Sequence, residues 1–139
     1  MLKKVYPAIF TEQKNGSFLI EVPDMGILTE GKTIEDAMFM ARDAIGMKGI
    51  TMQDRNEEIP AASKLENIDI AAGTFAHDGK GIIALVDIDF DEYRRKHDNK
   101  MVRRNVTLPN WLNCAADKAG VNVSQILREA LAEKLHVPL

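Results

Sequence analysis

Apolar and polar residues alternate along the first thirty positions, and turn sequences interrupt the alternation, which predicts short β-strands. Residues 4–10 are rich in β-forming side chains and lead to an Asn-Gly pair at 15–16, which suits a tight turn. Residues 17–22 and 27–31 predict two further strands and complete an antiparallel meander. Because Pro7 has no N–H, we expect the first strand at a sheet edge or Pro7 at a position that needs no hydrogen bond.

Helical spacing replaces alternation after Thr33, whose hydroxyl we expect to cap a helix that ends at Gly49. Residues 50–79 lack periodicity and predict an ordered loop. Residues 80–88 are almost continuously apolar, which is typical of a strand at the buried centre of a sheet. The order β-β-β-α-β predicts an α+β domain in which one helix covers one face of the sheet.

The last forty residues follow a third pattern, a short alternating strand over residues 101–109 and then two amphipathic helices separated by Gly120. One strand has no partner for its amides, and forty residues bury too little surface to offset their chain entropy. We therefore expect a homodimer in which two strands pair antiparallel and four helices share a core. The residues expected in that core are Val106, Leu108, Trp111, Ile126 and Leu127.

Composition indicates a soluble, cytoplasmic chain of 139 residues with a net charge of −3 and no membrane partner. A single cysteine excludes an internal disulfide framework. The charge is uneven, because residues 1–90 hold nine Lys and Arg against fifteen Asp and Glu, whereas residues 91–139 hold nine against six. An acidic body with a basic segment predicts two partners of different charge.

The basic segment carries a specific resemblance. Residues 103–109, the helix that follows, and the stretch Gly120-Val121-Asn122-Val123-Ser124 resemble the ribbon-helix-helix DNA-binding proteins over residues 101–135. In that family a paired strand lies in the major groove of DNA. Since Val106 and Leu108 are needed in the core, alternation leaves three other side chains outward, where they are suited to base edges. These predicted base contacts are Arg103, Asn105 and Thr107.

Phosphate contacts are expected beside the base contacts. Arg104 falls on the inward face, which is usually apolar in such a ribbon, and we expect it to reach outward to a phosphate. Asn122 and Ser124 precede and open the last helix, whose free amides suit an anion. Simple capping of that helix is the other reading of the same two residues.

The front part of the chain carries a second resemblance, in six segments. They are Tyr6-Pro7-Ala8-Ile9-Phe10, Gly16-Ser17-Phe18, Val22-Pro23-Asp24-Met25, Thr29-Glu30-Gly31-Lys32-Thr33-Ile34-Glu35-Asp36-Ala37, Ile59-Pro60-Ala61-Ala62-Ser63 and Val86-Asp87-Ile88-Asp89-Phe90. These segments are similar to those of the HicB antitoxin family. The resemblance implies a truncated RNase H-like fold and an antitoxin that binds and neutralises HicA, a small basic toxin that cleaves mRNA. It also implies repression of the antitoxin's own operon through operator DNA.

The resemblances divide the chain into a toxin-binding domain over residues 1–96, a linker over 97–100, and a DNA-binding and dimerisation domain over 101–139. Dimers could associate further into a larger oligomer. The alternative is a stand-alone ribbon-helix-helix regulator whose front domain senses a ligand or a protein. A gene for a short basic protein beside this one would favour the antitoxin.

Catalysis is not expected, although an RNase H-like fold raises the question of a nuclease. Such chemistry needs carboxylates that converge on two metal ions. The candidates Asp24, Asp87 and Asp89 are interpreted instead as turn and strand-end residues, and we expect no cofactor or metal. Cys114 is expected to be partly buried and inert. The histidines without ligand spacing are His77, His97 and His136.

Overall fold

The computed structural model describes residues 2–139. It divides into two compact units, which we call the front unit, ending at Lys100, and the tail, beginning at Met101. The front unit contains four strands and two helices, and the tail contains two helices, so the chain is of the mixed α+β class. The predicted order β-β-β-α-β is confirmed in the front unit.

The front unit is built on one antiparallel sheet with the strand order β3-β2-β1-β4. The strands are β1 (Lys3–Glu12), β2 (Phe18–Val22), β3 (Ile27–Gly31) and β4 (Lys80–Asp89). β1 is an inner strand and not an edge strand, so the second of the two expected placements is confirmed, with Pro7 at a position that needs no hydrogen bond. Pro7 is tolerated there because β2 pairs only with residues 9–12 of β1, and the half that contains Pro7 pairs with β4 alone.

The prediction that β4 lies at the centre of the sheet is wrong, because β4 is an edge strand. A continuous apolar run does not indicate which strand edges are paired, and the two faces of β4 are only partly covered, since Ile82 is 50% exposed and Leu85 is 52% exposed. The core between the sheet and the first helix covers one face, and Ile70 covers part of the other. A Cβ atom added to Gly81 would lie 2.7 Å from Cγ2 of Ile70.

The first helix, α1 (Ile34–Asp54), begins as predicted, since the Thr33 hydroxyl accepts a hydrogen bond from the amide of Asp36 at 3.1 Å. The predicted end at Gly49 is wrong, and the helix continues for more than another turn. Gly49 lies against the ring of Phe90, where an added Cβ would come within 2.0 Å of a ring carbon. The glycine therefore allows close packing and does not end the helix.

The core of the front unit lies between α1 and the sheet, with the second helix, α2 (Phe90–His97), beside α1. Its fully buried large side chains are Tyr6, Phe10, Ile20, Val22, Ile45, Val86 and Phe90. The segment predicted as an ordered loop contains two short 3-10 turns, at Leu65–Asn67 and Ile70–Ala72. The front unit thus has a complete layered core within one chain.

The tail contains α3 (Asn110–Ala119) and α4 (Val123–Leu135). Gly120 ends α3 in the left-handed conformation, with φ of 67°, as predicted. The predicted strand over residues 101–109 is not formed in the single chain, because a strand needs a hydrogen-bonded neighbour and none of residues 2–139 supplies one. Within those residues, no helix is both long and apolar enough to cross a bilayer.

Candidate functional site

The tail presents its basic residues without partners. Arg103 and Arg104 are exposed, and within residues 2–139 neither guanidinium makes a hydrogen bond or an ion pair. Asn105 and Thr107 are also exposed. The structure leaves these four side chains available to a ligand, but their arrangement on two faces depends on strand pairing that one chain alone does not make.

The N-terminus of α4 is capped by Asn122, whose Oδ1 accepts a hydrogen bond from the amide of Gln125 at 3.0 Å. Ser124 does not act as a cap, since it lies inside the helix and its hydroxyl has no partner among the described residues. The first amides of the helix remain exposed beside that hydroxyl. This arrangement suits an anion because unpaired amides and the helix dipole both favour negative charge.

An apolar surface covers both tail helices. Trp111 is 72% exposed, Val106 is 56% exposed, and Leu127 is half-buried. The other exposed apolar residues of the tail include Leu108, Leu112, Ile126, Leu131 and Leu135. Since each square ångström of apolar surface removed from water contributes about 25 cal/mol, this surface favours association. Cys114 is also exposed, so its predicted partial burial is wrong for the single chain.

The three carboxylates considered for nuclease chemistry have separate local partners. Asp24 accepts hydrogen bonds from the amide and hydroxyl of Ser63 at 2.8 and 2.5 Å. Asp87 lies 2.8 Å from the guanidinium of Arg42, whose hydrogen bond and charge lower the pKa of Asp87. Asp89 caps α2. Among residues 2–139, no three His, Cys, Asp or Glu side chains cluster as metal ligands would.

Part of the basic segment stabilises the front unit. Arg94 bonds Asp54 at 2.9 Å, Asp98 at 3.0 Å and the carbonyl of Ile50 at 3.2 Å, so it joins the end of α1 to α2. Sequence reasoning missed this role because the three acceptors are distant in sequence or lie in the predicted linker. Lys96 is similarly engaged, 2.8 Å from a Glu92 carboxylate oxygen.

Tyr93 adds a second link between the two front helices. Its hydroxyl donates to Asp43 at 2.8 Å, and its ring stacks on His97 with a centroid distance of 4.2 Å. Burial, together with the bond to Asp43, raises the pKa of Tyr93 to about 12. These contacts fix α2 on α1.

Comparison with known proteins gives a family match. The family model described as the HicB-like antitoxin of bacterial toxin-antitoxin systems matches residues 6–133. No curated protein matches the sequence significantly.

Two solved structures share the fold. A chain of a toxin-antitoxin complex from Streptococcus pneumoniae is 22% identical, with a TM-score of 0.61 over 96% of this chain and 99% of that one. The antitoxin HicB of Burkholderia pseudomallei is 24% identical, with a TM-score of 0.52 over 98% of each chain.

Proposed function

The chain belongs to the HicB-like antitoxin family of bacterial toxin-antitoxin systems, and on that premise we propose that it neutralises a HicA-type toxin and represses its own operon. The front unit binds the toxin, and two tails together bind operator DNA. The observation that carries the DNA-binding role is the tail itself, where an uncovered apolar surface lies on helices preceded by unpaired arginines.

Dimerisation of the tail supplies what the single chain lacks. Two segments over residues 103–108 pair antiparallel, which satisfies their amides and turns Val106 and Leu108 toward the shared helices. The same alternation turns Arg103, Asn105 and Thr107 toward the major groove. Arg can donate two hydrogen bonds to guanine, and Asn can pair with adenine through two, so these side chains can distinguish bases.

Contacts to phosphate orient the tail on the duplex. The exposed amides at the start of α4, with the Ser124 hydroxyl, receive one phosphate, and Arg104 reaches another. The Asn122 side chain accepts a hydrogen bond from the amide of Gln125 only, so capping and phosphate binding are compatible. These contacts make binding dependent on salt and contribute little to the choice of sequence.

Toxin binding is assigned to the front unit because it has a complete core and an acidic balance. Residues 1–100 hold eighteen Asp and Glu against thirteen Lys and Arg. An acidic surface attracts a basic partner and accelerates its association. The toxin-antitoxin complex with a similar fold supports a toxin as the partner. The truncated RNase H-like description of this unit rests on the family resemblance.

The decisive experiment measures both roles on the full chain. We expect the product of the neighbouring short reading frame to bind the chain, and a DNA fragment from upstream of the operon to shift in a gel with it. Binding of DNA without any toxin-like neighbour would instead favour a stand-alone regulator. Failure to bind that DNA at low salt would contradict the role given to the tail.

A further inference from the structure

A groove of about 300 Å³ lies between α1 and α2 of the front unit. Phe39 lines it from α1 and is 61% exposed, although it is large and aromatic. The stacked rings of Tyr93 and His97 line it from α2. Since pockets for small ligands enclose about 300–1,000 Å³, the groove has room for one side chain rather than for a helix.

The charges in the groove are not all compensated. Arg42 and Lys96 also line it, and each is already paired with a carboxylate. Asp43 differs, because its only partner among residues 2–139 is the neutral hydroxyl of Tyr93. Asp89 bonds only a backbone amide, and the dipole of α2 offsets part of its charge. Asp43 is therefore the carboxylate that lacks a cation.

The side chain of arginine matches these groups. Its guanidinium is planar, stacks on aromatic rings and donates two parallel hydrogen bonds to a carboxylate. Phe39 and Asp43 lie four residues apart, so they are neighbours on one face of α1 and can serve one guanidinium together. Lysine would supply the charge without the planar shape, because its ammonium is a compact and strongly hydrated group.

We propose that this groove binds an arginine side chain of the toxin, with the guanidinium stacked on Phe39 and hydrogen-bonded to Asp43. The inference rests on the proposed function and names the surface of the front unit that performs it. Charge complementarity favours the toxin as the occupant, because a basic protein exposes cations and the groove retains negative charge. A second copy of the front unit would bring a further excess of Asp and Glu, which like-charge repulsion disfavours.

The first test removes the aromatic side of the groove. Phe39→Ala truncates that ring, and its control, Met47→Ala, truncates another exposed side chain of α1, 53% exposed and outside the groove. Titration calorimetry measures the affinity of each full chain for the product of the neighbouring short reading frame. We expect Phe39→Ala to weaken binding about tenfold and Met47→Ala less than about twofold. Circular dichroism should report the native fold for both, and equal losses would overturn the proposal.

The second test removes the charge. Asp43→Asn keeps an oxygen that can accept the Tyr93 hydroxyl, whereas Glu35→Gln removes the same charge from an exposed position of α1 outside the groove. A charge in direct contact acts mainly on dissociation, and a distant charge acts on association. We therefore expect Asp43→Asn to accelerate dissociation of the toxin about tenfold and Glu35→Gln to change the association rate alone. An effect of Asp43→Asn confined to association would overturn direct contact.

The third test identifies the occupant by changing the arginines of the toxin to alanine one at a time. One change should weaken binding to the wild-type chain and cost little more with Asp43→Asn, because both changes remove the same contact. Coupling of Asp43 to no arginine of the toxin would contradict the proposal.

The outcomes separate this proposal from the proposed function. Toxin binding that Phe39→Ala and Asp43→Asn leave unchanged would overturn the role of the groove and leave the proposed function intact. Absence of toxin binding by the wild-type chain would overturn both. A halved mass for Phe39→Ala in light scattering, with toxin binding unchanged, would assign the groove to a second copy of the chain and overturn the proposal.

Discussion

The front unit and the tail use the same kind of amphipathic pattern and differ in whether one chain can cover it. In the front unit, α1 packs on a sheet of the same chain, and Tyr6, Phe10 and Phe90 are fully buried. In the tail, Trp111 and most other apolar side chains remain exposed. A regular pattern therefore predicts which face is buried without indicating whether the covering surface belongs to the same molecule.

Two arginines of the front unit and two of the tail show a similar difference. In the front unit Arg42 and Arg94 are held by carboxylates and carbonyls of neighbouring elements. In the tail, Arg103 and Arg104 have no partner among the described residues. Bonded arginines of the front unit contribute to its fold, whereas unbonded arginines of the tail are free to bind an anion. This contrast can be tested by changes that act on one unit only.

Deletion of residues 101–139 should have the largest effect. We expect it to abolish operator binding while the front unit keeps a cooperative thermal transition, because the front core is complete without the tail. Calorimetry and gel shift measure the two properties. Loss of the cooperative transition would show that the front unit depends on the tail, and the contrast between the units would then be wrong.

Asn105→Ala should weaken operator binding by about 2–6 kcal/mol, since one lost base contact costs about 1–3 kcal/mol and a dimer loses two. Stability of the front unit and toxin binding should not change. The matched control is Asn99→Ala, an exposed asparagine outside the predicted ribbon. Titration of labelled operator DNA measures the effect, and equal losses for both variants would contradict base readout by Asn105.

Val106→Ala separates the two faces of the predicted ribbon. It leaves a cavity in the shared core, so it should weaken tail association and reduce DNA binding as a consequence. Sedimentation of the full chain at several concentrations measures the association. If Val106→Ala weakens DNA binding with association intact while Asn105→Ala weakens association, the predicted strand is shifted by one residue.

Gly49→Ala should lower the stability of the front unit by about 1–3 kcal/mol, because the added methyl group overlaps the buried Phe90 ring. Alanine is otherwise the better helix former by up to about 1 kcal/mol, so a net loss is the signature of that contact. Gly120→Ala in the tail, which has positive φ and open space around it, should leave the front transition unchanged. Urea unfolding followed by circular dichroism separates these outcomes.

Tyr93→Phe should have the smallest effect. We expect it to lower the free energy of unfolding of the front unit by about 1 kcal/mol, because it removes the hydrogen bond to Asp43. Folding raises the pKa of Tyr93 from 10.0 to about 12. The stability that the neutral Tyr93 side chain contributes is therefore complete below pH 10 and is lost as the pH rises toward 12. The stability difference between wild type and variant should therefore decrease over that range. A difference that stays constant from pH 9 to 12 would contradict the raised pKa.

Local features of the sequence determined the elements and several of their ends. Alternation predicted the three-stranded meander, and helical spacing predicted the tail helices. Thr33 and Asn122 were recognisable as caps because a cap bonds an amide only three residues away. The candidate DNA-binding residues were also found locally, as a basic run beside alternating apolar positions, and their contact with DNA stays a prediction.

Tertiary structure alone decided how distant segments meet. The same apolar run suits a central or an edge strand, and only pairing with β1 places β4 at the edge. From the sequence alone, Gly49 is a plausible helix end. In the structure it lies inside the helix, where it makes room for the ring of Phe90, forty-one residues later. From the sequence alone, Arg94 is one member of a basic run. The structure gives it a separate role, because its guanidinium bonds Asp54. In each case the deciding contact joins residues far apart in sequence, so no local pattern contains it.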